Sequence, residues 1–264
     1  KVDFFFKKNK PEFIVICAAK VGGILENSRY PTEFIINNLL IQNNILMAAK
    51  KYKVKRTIFL GSSCIYPKKS KIPIKEDYLL TGKLEETNQA YAIAKIAGLK
   101  LCESYNFQYK TNYKCLMPTN TFGPNDNYHK LNSHFFPALI RKIHELKIKN
   151  KSELILWGNG LARREVIYVD DIANACIFFM KKKCKETLIN IGTGKDYSIR
   201  DYAKLILRLL IPNKKIKIRY DLSKPNGTPR KVLNISLAKK YGWKPKKDLE
   251  TAIIETYKDF LKRC

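Results

Sequence analysis

The alternation of short β-branched runs with long helical repeats constrains this chain more than any other feature. Phe13-Ile14-Val15-Ile16-Cys17-Ala18 follows Pro11 as a compact apolar run, and Arg56-Thr57-Ile58-Phe59-Leu60-Gly61 is a second. Both predict buried strands. Between them, residues 31 to 52 repeat apolar side chains at Phe34, Ile35, Leu39, Ile41, Ile45 and Leu46 with the period of a helix started near Pro31-Thr32. A second helix is predicted from about 88 to 109, opening near Thr87-Asn88 and carrying Ala90, Ile93, Ala94, Ala97, Leu101 and Tyr105 along one face. Tyr113-Lys114-Cys115-Leu116-Met117, stopped by Pro118, predicts the next strand. This rhythm predicts an α/β protein whose parallel sheet is covered by helices on both faces.

Beyond Pro118 the texture turns to Gly, Pro, Asn and His as far as about residue 134, and Thr121-Phe122-Gly123-Pro124-Asn125-Asp126-Asn127 reads as a loop. A helix at about 134 to 148, a strand at Leu154-Ile155-Leu156-Trp157 and a turn at Gly158-Asn159-Gly160 follow. Asp170-Asp171 are expected to cap a helix reaching about 182, and Ile189-Asn190-Ile191 to form a strand before Gly192-Thr193-Gly194. The remainder predicts a helix at about 198 to 210, a strand near 215 to 220, a loop through Pro225-Asn226-Gly227-Thr228-Pro229 and a last helix from about 248. With 264 residues the chain can bury one large core or two small ones.

Lys and Arg number 51 against 23 Asp and Glu, a formal charge of +28 that raises nucleic acid or an anionic surface as a partner. The pattern points elsewhere. Ten of the 51 are Arg, the lysines scatter through every segment, and no zinc-finger, helix-turn-helix or interleaved aromatic platform accompanies them. Solvated Lys-rich faces are expected, with no nucleic-acid partner. No run approaches the roughly 20 consecutive apolar residues of a bilayer span, so no membrane partner is expected. Seven cysteines, at 17, 64, 102, 115, 176, 184 and 264, show no Cys-x-x-Cys pair, which supports neither a disulfide framework nor a metal site and suits a reducing, cytoplasmic setting.

Two patterns carry chemistry. Tyr91-Ala92-Ile93-Ala94-Lys95 sets a phenol and an ammonium four residues apart on one helix face. A neighbouring cation would favour the phenolate, lowering the Tyr91 pKa and making it a better acid-base group near neutrality. Gly61-Ser62-Ser63-Cys64 stands where a strand ends, the usual place for ligands in a doubly wound sheet. Taken singly, the first is compatible with an ordinary surface helix and the second with a polar turn.

A strand-end Ser followed about 30 residues later by Tyr-x-x-x-Lys resembles the short-chain dehydrogenase/reductases. Six blocks sharpen this: Ala18-Ala19-Lys20-Val21-Gly22-Gly23-Ile24, Gly61-Ser62-Ser63-Cys64-Ile65-Tyr66-Pro67-Lys68, Tyr91-Ala92-Ile93-Ala94-Lys95-Ile96-Ala97-Gly98, Met117-Pro118-Thr119-Asn120, Asn132-Ser133-His134 and Gly227-Thr228-Pro229-Arg230-Lys231. Together they resemble the GDP-L-fucose synthases, an extended branch of that superfamily, over nearly the whole chain. The resemblance implies a Rossmann-like doubly wound sheet over residues 1–120 and parts of 160–195, and a smaller C-terminal α/β substrate domain over about 121–160 and 195–264.

The implied reaction is epimerisation of GDP-4-keto-6-deoxy-D-mannose at carbons 3 and 5, then reduction at carbon 4 with NADPH. The ketone acidifies both neighbouring C–H bonds, so one base and one acid can serve both inversions. By motif, Cys64 is the base and His134 the acid, while Ser62, Tyr91 and Lys95 form the reductase triad. NADP(H) is expected against Leu60, Gly61, Ser62, Ser63, Tyr91, Lys95, Pro118, Thr119, Asn120, Thr121 and His134. The nucleotide sugar is expected against Lys142, Trp157, Arg164, Asn226, where the family often has Asp, and Lys231. A homodimer through the helices near 31–52 and 88–109 is also implied.

The largest departure from the family is an absence. The Gly-x-x-Gly-x-x-Gly fingerprint that cradles the dinucleotide pyrophosphate is absent, and neither Gly22-Gly23 nor Gly192-Thr193-Gly194 has its spacing. The expectation is that the first β-α-β portion lies before Lys1. Another sugar-nucleotide epimerase or reductase of this fold, or a non-catalytic nucleotide-sugar-binding remnant, are the competing readings.

Overall fold

The computed structural model describes residues 1–130, 132–224 and 226–263. Pro225, placed by sequence in a loop, and Cys264 lie outside the described residues. Helix α1 (Val2–Asn9) leads into strand β1 (Phe13–Ile16); α2 (Ile24–Arg29) and the Pro-started α3 (Pro31–Lys51) return to β2 (Arg56–Leu60), and α4 (Gln89–Tyr109) returns to β3 (Tyr113–Pro118). There follow β4 (Asn120–Phe122), α5 (Phe135–Ile148), β5 (Glu153–Trp157), β6 (Arg163–Arg164), β7 (Val166–Tyr168), α6 (Val169–Lys181) and β8 (Leu188–Ile191). The chain ends through β9 (Tyr197–Ser198), α7 (Ile199–Leu210), β10 (Lys217–Asp221), β11 (Arg230–Lys231), α8 (Ser236–Lys240) and α9 (Leu249–Arg263).

The main sheet has the order β1-β2-β3-β8, every pair parallel, as the strand–helix rhythm predicts. Strand β1 forms one edge, with Phe13 and Val15 exposed. Two buried clusters serve this sheet: one joins it to α3 and α4 through Leu46, Phe59, Leu99 and Met117, the other to α6 and Trp243 through Ile58, Leu116 and Phe179. A third lies apart, where Phe122, Phe136, Tyr202 and Phe260 bring together β4, α5, α7 and α9. Small sheets flank it: β4 with β7, β5 with β10, and β6 between β9 and β11.

Two local expectations are corrected. Thr121 and Phe122 belong to β4 and not to a loop, because the apolar Val166–Tyr168 run supplies a parallel partner that local texture does not reveal. Asp170 and Asp171 do not cap α6. They sit in its first turn, favourable to the helix dipole, and the Asp171 carboxylate accepts the backbone N–H groups of Lys246 and Lys247 at 2.9 and 3.1 Å. Ser198, by contrast, caps α7 in a reciprocal box with Asp201. Lysines are solvated, as expected, except Lys95 and Lys114, the buried ones among the described residues. The six described cysteines are free thiols, with Cys102, Cys115 and Cys176 buried as small hydrophobes. No described helix is long and apolar enough to cross a membrane.

Gly98 shows why α3 and α4 approach the sheet so closely. A Cβ there would lie 2.7 Å from Phe59 Cζ and 2.8 Å from Gln42 Cδ, and Gln42 is itself fixed by donating to Ala94 O at 2.6 Å. Neither neighbour has room to retreat, so Gly98→Ala is expected to destabilise the chain by about 1–3 kcal/mol in denaturant unfolding despite the better helix propensity of Ala. An unchanged or raised midpoint would show that this contact is not tight.

Candidate active site

The site starts where β2 runs out. Gly61 N–H donates to Leu116 O at 2.9 Å, and a Cβ on Gly61 would lie 2.2 Å from Met117 Sδ, so a glycine is needed for the chain to leave the sheet here. Ser62 then caps a 3-10 turn over Ser63–Ile65, its Oγ accepting from Cys64 N at 3.2 Å. Helix α4 lays Tyr91 and Lys95 over this strand end. The buried Lys95 ammonium donates to Leu60 O at 2.9 Å and lies 5.8 Å from the centre of the Tyr91 ring.

The electrostatics correct the expectation from the Tyr-x-x-x-Lys pair. Burial pushes the Tyr91 phenol well above its ordinary range, the neighbouring Cys64 adds to that, and hydrogen bonding with Ser62 opposes it. Burial also brings Lys95 down to about 8, against the favourable influence of Cys17 and Cys115. Desolvation, and not the neighbouring cation, sets the direction of both shifts.

Cys64 receives two donors from distant segments. Asn88 Nδ2 lies 3.2 Å from its Sγ and Lys231 Nζ 3.8 Å. Lys231 reaches it because β11 pairs with β6 and Glu165 N–H donates to Lys231 O at 3.2 Å. The fully buried Glu165 side chain secures the junction, accepting the N–H groups of Thr193 and Gly194 at 2.6 Å each and of Leu233 at 2.8 Å. Burial raises its carboxyl to about 6, although those amides oppose the rise. Thr119 Oγ1 and Asn120 Nδ2 donate to Glu165 O at 3.1 and 2.9 Å, and Thr121 Oγ1 donates to Thr119 O, which orders the Pro118–Thr121 segment beside Gly61.

A narrow cleft opens from Cys64 between Lys68, Glu85, Thr228, Arg230 and Lys231. Arg164 Nη1 donates to Thr228 O, and Thr228 Oγ1 donates to Glu85 at 3.2 Å, tying the cleft walls together. Trp157, 46% exposed, is flanked by the ammonium groups of Lys142 and Lys224 at 5.2 and 5.8 Å. Asn226 Oδ1 accepts Asn159 N–H at 2.8 Å, next to that ring. A larger recess of about 790 Å³, lined by Glu76, Glu103, Glu186 and Lys240 among others, opens before the amino end of β8, away from these groups.

His134 stands at the start of α5, solvent-accessible, with its imidazole held below the usual value by the protein around it. Its loop is fastened to the segment after β1 by Gly23 N–H donating to Asn132 O at 3.2 Å. Among the described residues its ring makes no hydrogen bond to Ser62, Cys64 or Tyr91. The structure thus joins Ser62, Cys64, Tyr91, Lys95 and Lys231 directly, and keeps Trp157, Lys142 and Asn226 as a second group. No cluster of three or more His, Cys, Asp or Glu side chains among the described residues could hold a metal ion.

Residues 1–192 match the NAD dependent epimerase/dehydratase family. The chain belongs to that family. Within it, GDP-L-fucose synthase 1 of Arabidopsis thaliana is 45% identical over 261 residues, 99% of this chain and 80% of that protein. GDP-L-fucose synthase of Escherichia coli (strain K12) is 45% identical over 266 residues, 97% of this chain and 82% of that protein. Among solved structures, a GDP-L-fucose synthetase from Naegleria fowleri bound to NADP superposes with a TM-score of 0.87 at 27% identity, covering 98% of this chain and 79% of that one.

Two residues of the site escape sequence reasoning. Asn88 reads as a helix start, and Glu165 is a lone carboxylate between two arginines and an apolar run. For Glu165 the signal was that a carboxylate running straight into an apolar stretch needs partners. Glu165→Ala would leave the buried Leu233 amide without its acceptor, at a cost of about 1–3 kcal/mol, and free the part-buried Thr193 and Gly194 amides as well. Denaturant unfolding should therefore show a loss of at least about 1–3 kcal/mol, and a loss under about 1 kcal/mol would deny the carboxylate this role.

Proposed function

We propose that the chain is a GDP-L-fucose synthase that inverts carbons 3 and 5 of GDP-4-keto-6-deoxy-D-mannose and reduces carbon 4 with NADPH. The observation that carries the reading is the shared strand end: the Cys64 thiol, with two N–H donors on its sulfur, one turn from the Ser62–Tyr91–Lys95 group. The 45% identity to GDP-L-fucose synthases over nearly the whole chain supports it. Residues 121–160 and 195–264 form the substrate half in this reading. The exposed apolar side chains of Ile36, Leu40 and Met47 on α3 and Ile93 on α4 suit a homodimer, and the free thiols suit a cytoplasmic setting.

The residues present fit the nicotinamide half of the cofactor. Lys95, one of its donors engaged by Leu60 O, retains N–H groups for the ribose, and Leu60–Ser63 and Pro118–Thr121 lie at the carboxyl ends of neighbouring strands. When bound, NADPH supplies the hydride for carbon 4. Tyr91 gives the proton to the carbonyl oxygen, with Ser62 holding that oxygen in place. Cys64 takes one proton from carbon 3 and, in turn, one from carbon 5, His134 gives a different proton to the opposite face each time, and both groups exchange with solvent between the inversions. Lys142, Arg164 and Lys231 offset the diphosphate charge, Trp157 offers its ring to the base, and Asn226 accepts from a hydroxyl.

Deuterium from D2O should enter carbons 3 and 5 of the product. Cys64→Ser is expected to lower that incorporation by about 10²-fold or more, whereas Tyr91→Phe keeps incorporation and loses reduction by a similar factor. A reductase without epimerisation would leave both carbons unlabelled, and full turnover in both variants would contradict the assignment.

The Lys95 ammonium is lost as pH rises through about 8, so reduction should fall on the alkaline side of that value. Lys95→Arg keeps its charge to beyond about pH 12 and should remove the fall. An alkaline fall that persists in Lys95→Arg would assign it to another group.

A further inference from the structure

Asn88 sits immediately before Gln89, the first residue of α4, where an Asn side chain ordinarily accepts an N–H of the first helical turn and stabilises the helix. Here it makes no such bond. Its Nδ2 instead donates to Cys64 Sγ at 3.2 Å, and its Oδ1 is sealed from solvent without any hydrogen-bond partner. The amide thus leaves the helix uncapped, with its nitrogen on the Cys64 sulfur and its oxygen buried and unpaired beside it. A buried acceptor left unpaired is uncommon and destabilising, and a bound group can recover that cost. Ser133 Oγ, in the residue before His134, is another buried oxygen without a partner. Two unpaired oxygens, one beside each residue assigned to proton transfer, suit a polyhydroxylated ring that displaces the side chains sealing them.

We propose that Asn88 fixes the Cys64 sulfur for proton transfer through its amide N–H and binds a hydroxyl of the substrate's sugar ring through its carbonyl oxygen. This rests on the reading in which Cys64 is the base. The Lys231 ammonium at 3.8 Å is the second donor on the same sulfur, so the thiol is held from the α4 side and from the β11 side. Cys64 lies in a short 3-10 turn, and without those donors its side chain is free to turn away from the carbon it must deprotonate. A misplacement of about 1 Å at such a centre can cost about 10²-fold in rate.

The test compares Asn88→Asp, which keeps an acceptor oxygen but replaces the N–H donor, with Asn88→Leu, which removes both, and with Cys64→Ser, all in the full chain. Deuterium wash-in at carbons 3 and 5 of GDP-4-keto-6-deoxy-D-mannose is followed in D2O without reductant at saturating substrate. GDP-L-fucose affinity is measured by calorimetry. Both Asn88 variants should lose wash-in by about 10²-fold. Affinity should stay near wild type in Asn88→Asp and weaken about tenfold in Asn88→Leu, the loss expected for one buried hydrogen bond. A purely structural role would weaken both measurements in step and give no such split. Wild-type wash-in in either Asn88 variant overturns the positioning role, and equal affinity in the two overturns the hydroxyl contact. Wash-in that survives in Cys64→Ser defeats the underlying reading, whereas wash-in lost there and kept in the Asn88 variants defeats this inference alone.

Discussion

The parallel pairing of β2 with β3, Leu60 opposite Leu116, is the constraint from which the site follows. It sets two strand ends side by side, so the peptide groups beyond them leave the sheet together, and Gly61 admits Met117 where any side chain would collide. The Lys95 ammonium closes on Leu60 O from above, tying α4 to the same point. A hydroxyl and a thiol attached within a few residues of that strand terminus then meet the phenol and the cation that α4 lays over it. The desolvation of Tyr91 and Lys95 is a consequence of this geometry, and it raises the phenol and lowers the ammonium.

The second half of the site reaches this point through Glu165. Its backbone carbonyl takes Thr119 and Asn120, its backbone N–H takes Lys231 O, and its carboxylate gathers the amides of Thr193, Gly194 and Leu233. One buried residue therefore links β3's exit, the turn after β8 and the strand that delivers Lys231 to Cys64. A nearby pair of arginines, Arg163 and Arg230, both engage Asp196 at 2.8 Å and hold the β6, β9 and β11 sheet from the outside. Burial alone would raise Asp196, but these two cations bring it below the usual carboxylate range.

Strong periodicity made the sheet and its long helices legible: the Phe34 to Leu46 repeat and the Phe13 and Arg56 runs fall within one or two residues of α3, β1 and β2. Elements whose partner is remote were not. Thr121 and Phe122 become a strand only because Val166–Tyr168 lies beside them, and Asp171 leaves the cap for amides 75 and 76 residues away. Motif spacing singles out Ser62, Cys64, Tyr91 and Lys95, which the fold brings to one strand end, but it carries no measure of burial and so gives the wrong direction for the Tyr91 shift. Asn88 looked like any helix-opening Asn. What distinguishes it, a sulfur within reach and an empty acceptor, exists only in three dimensions.

A crystal structure of the chain with GDP-L-fucose would place the sugar against these groups. The account predicts a hexose ring within hydrogen-bond reach of Cys64 Sγ and the Tyr91 hydroxyl, His134 facing its other side, and the base beside Trp157. A ring seated away from the β2 and β3 termini, or an imidazole that does not face it, would contradict the account.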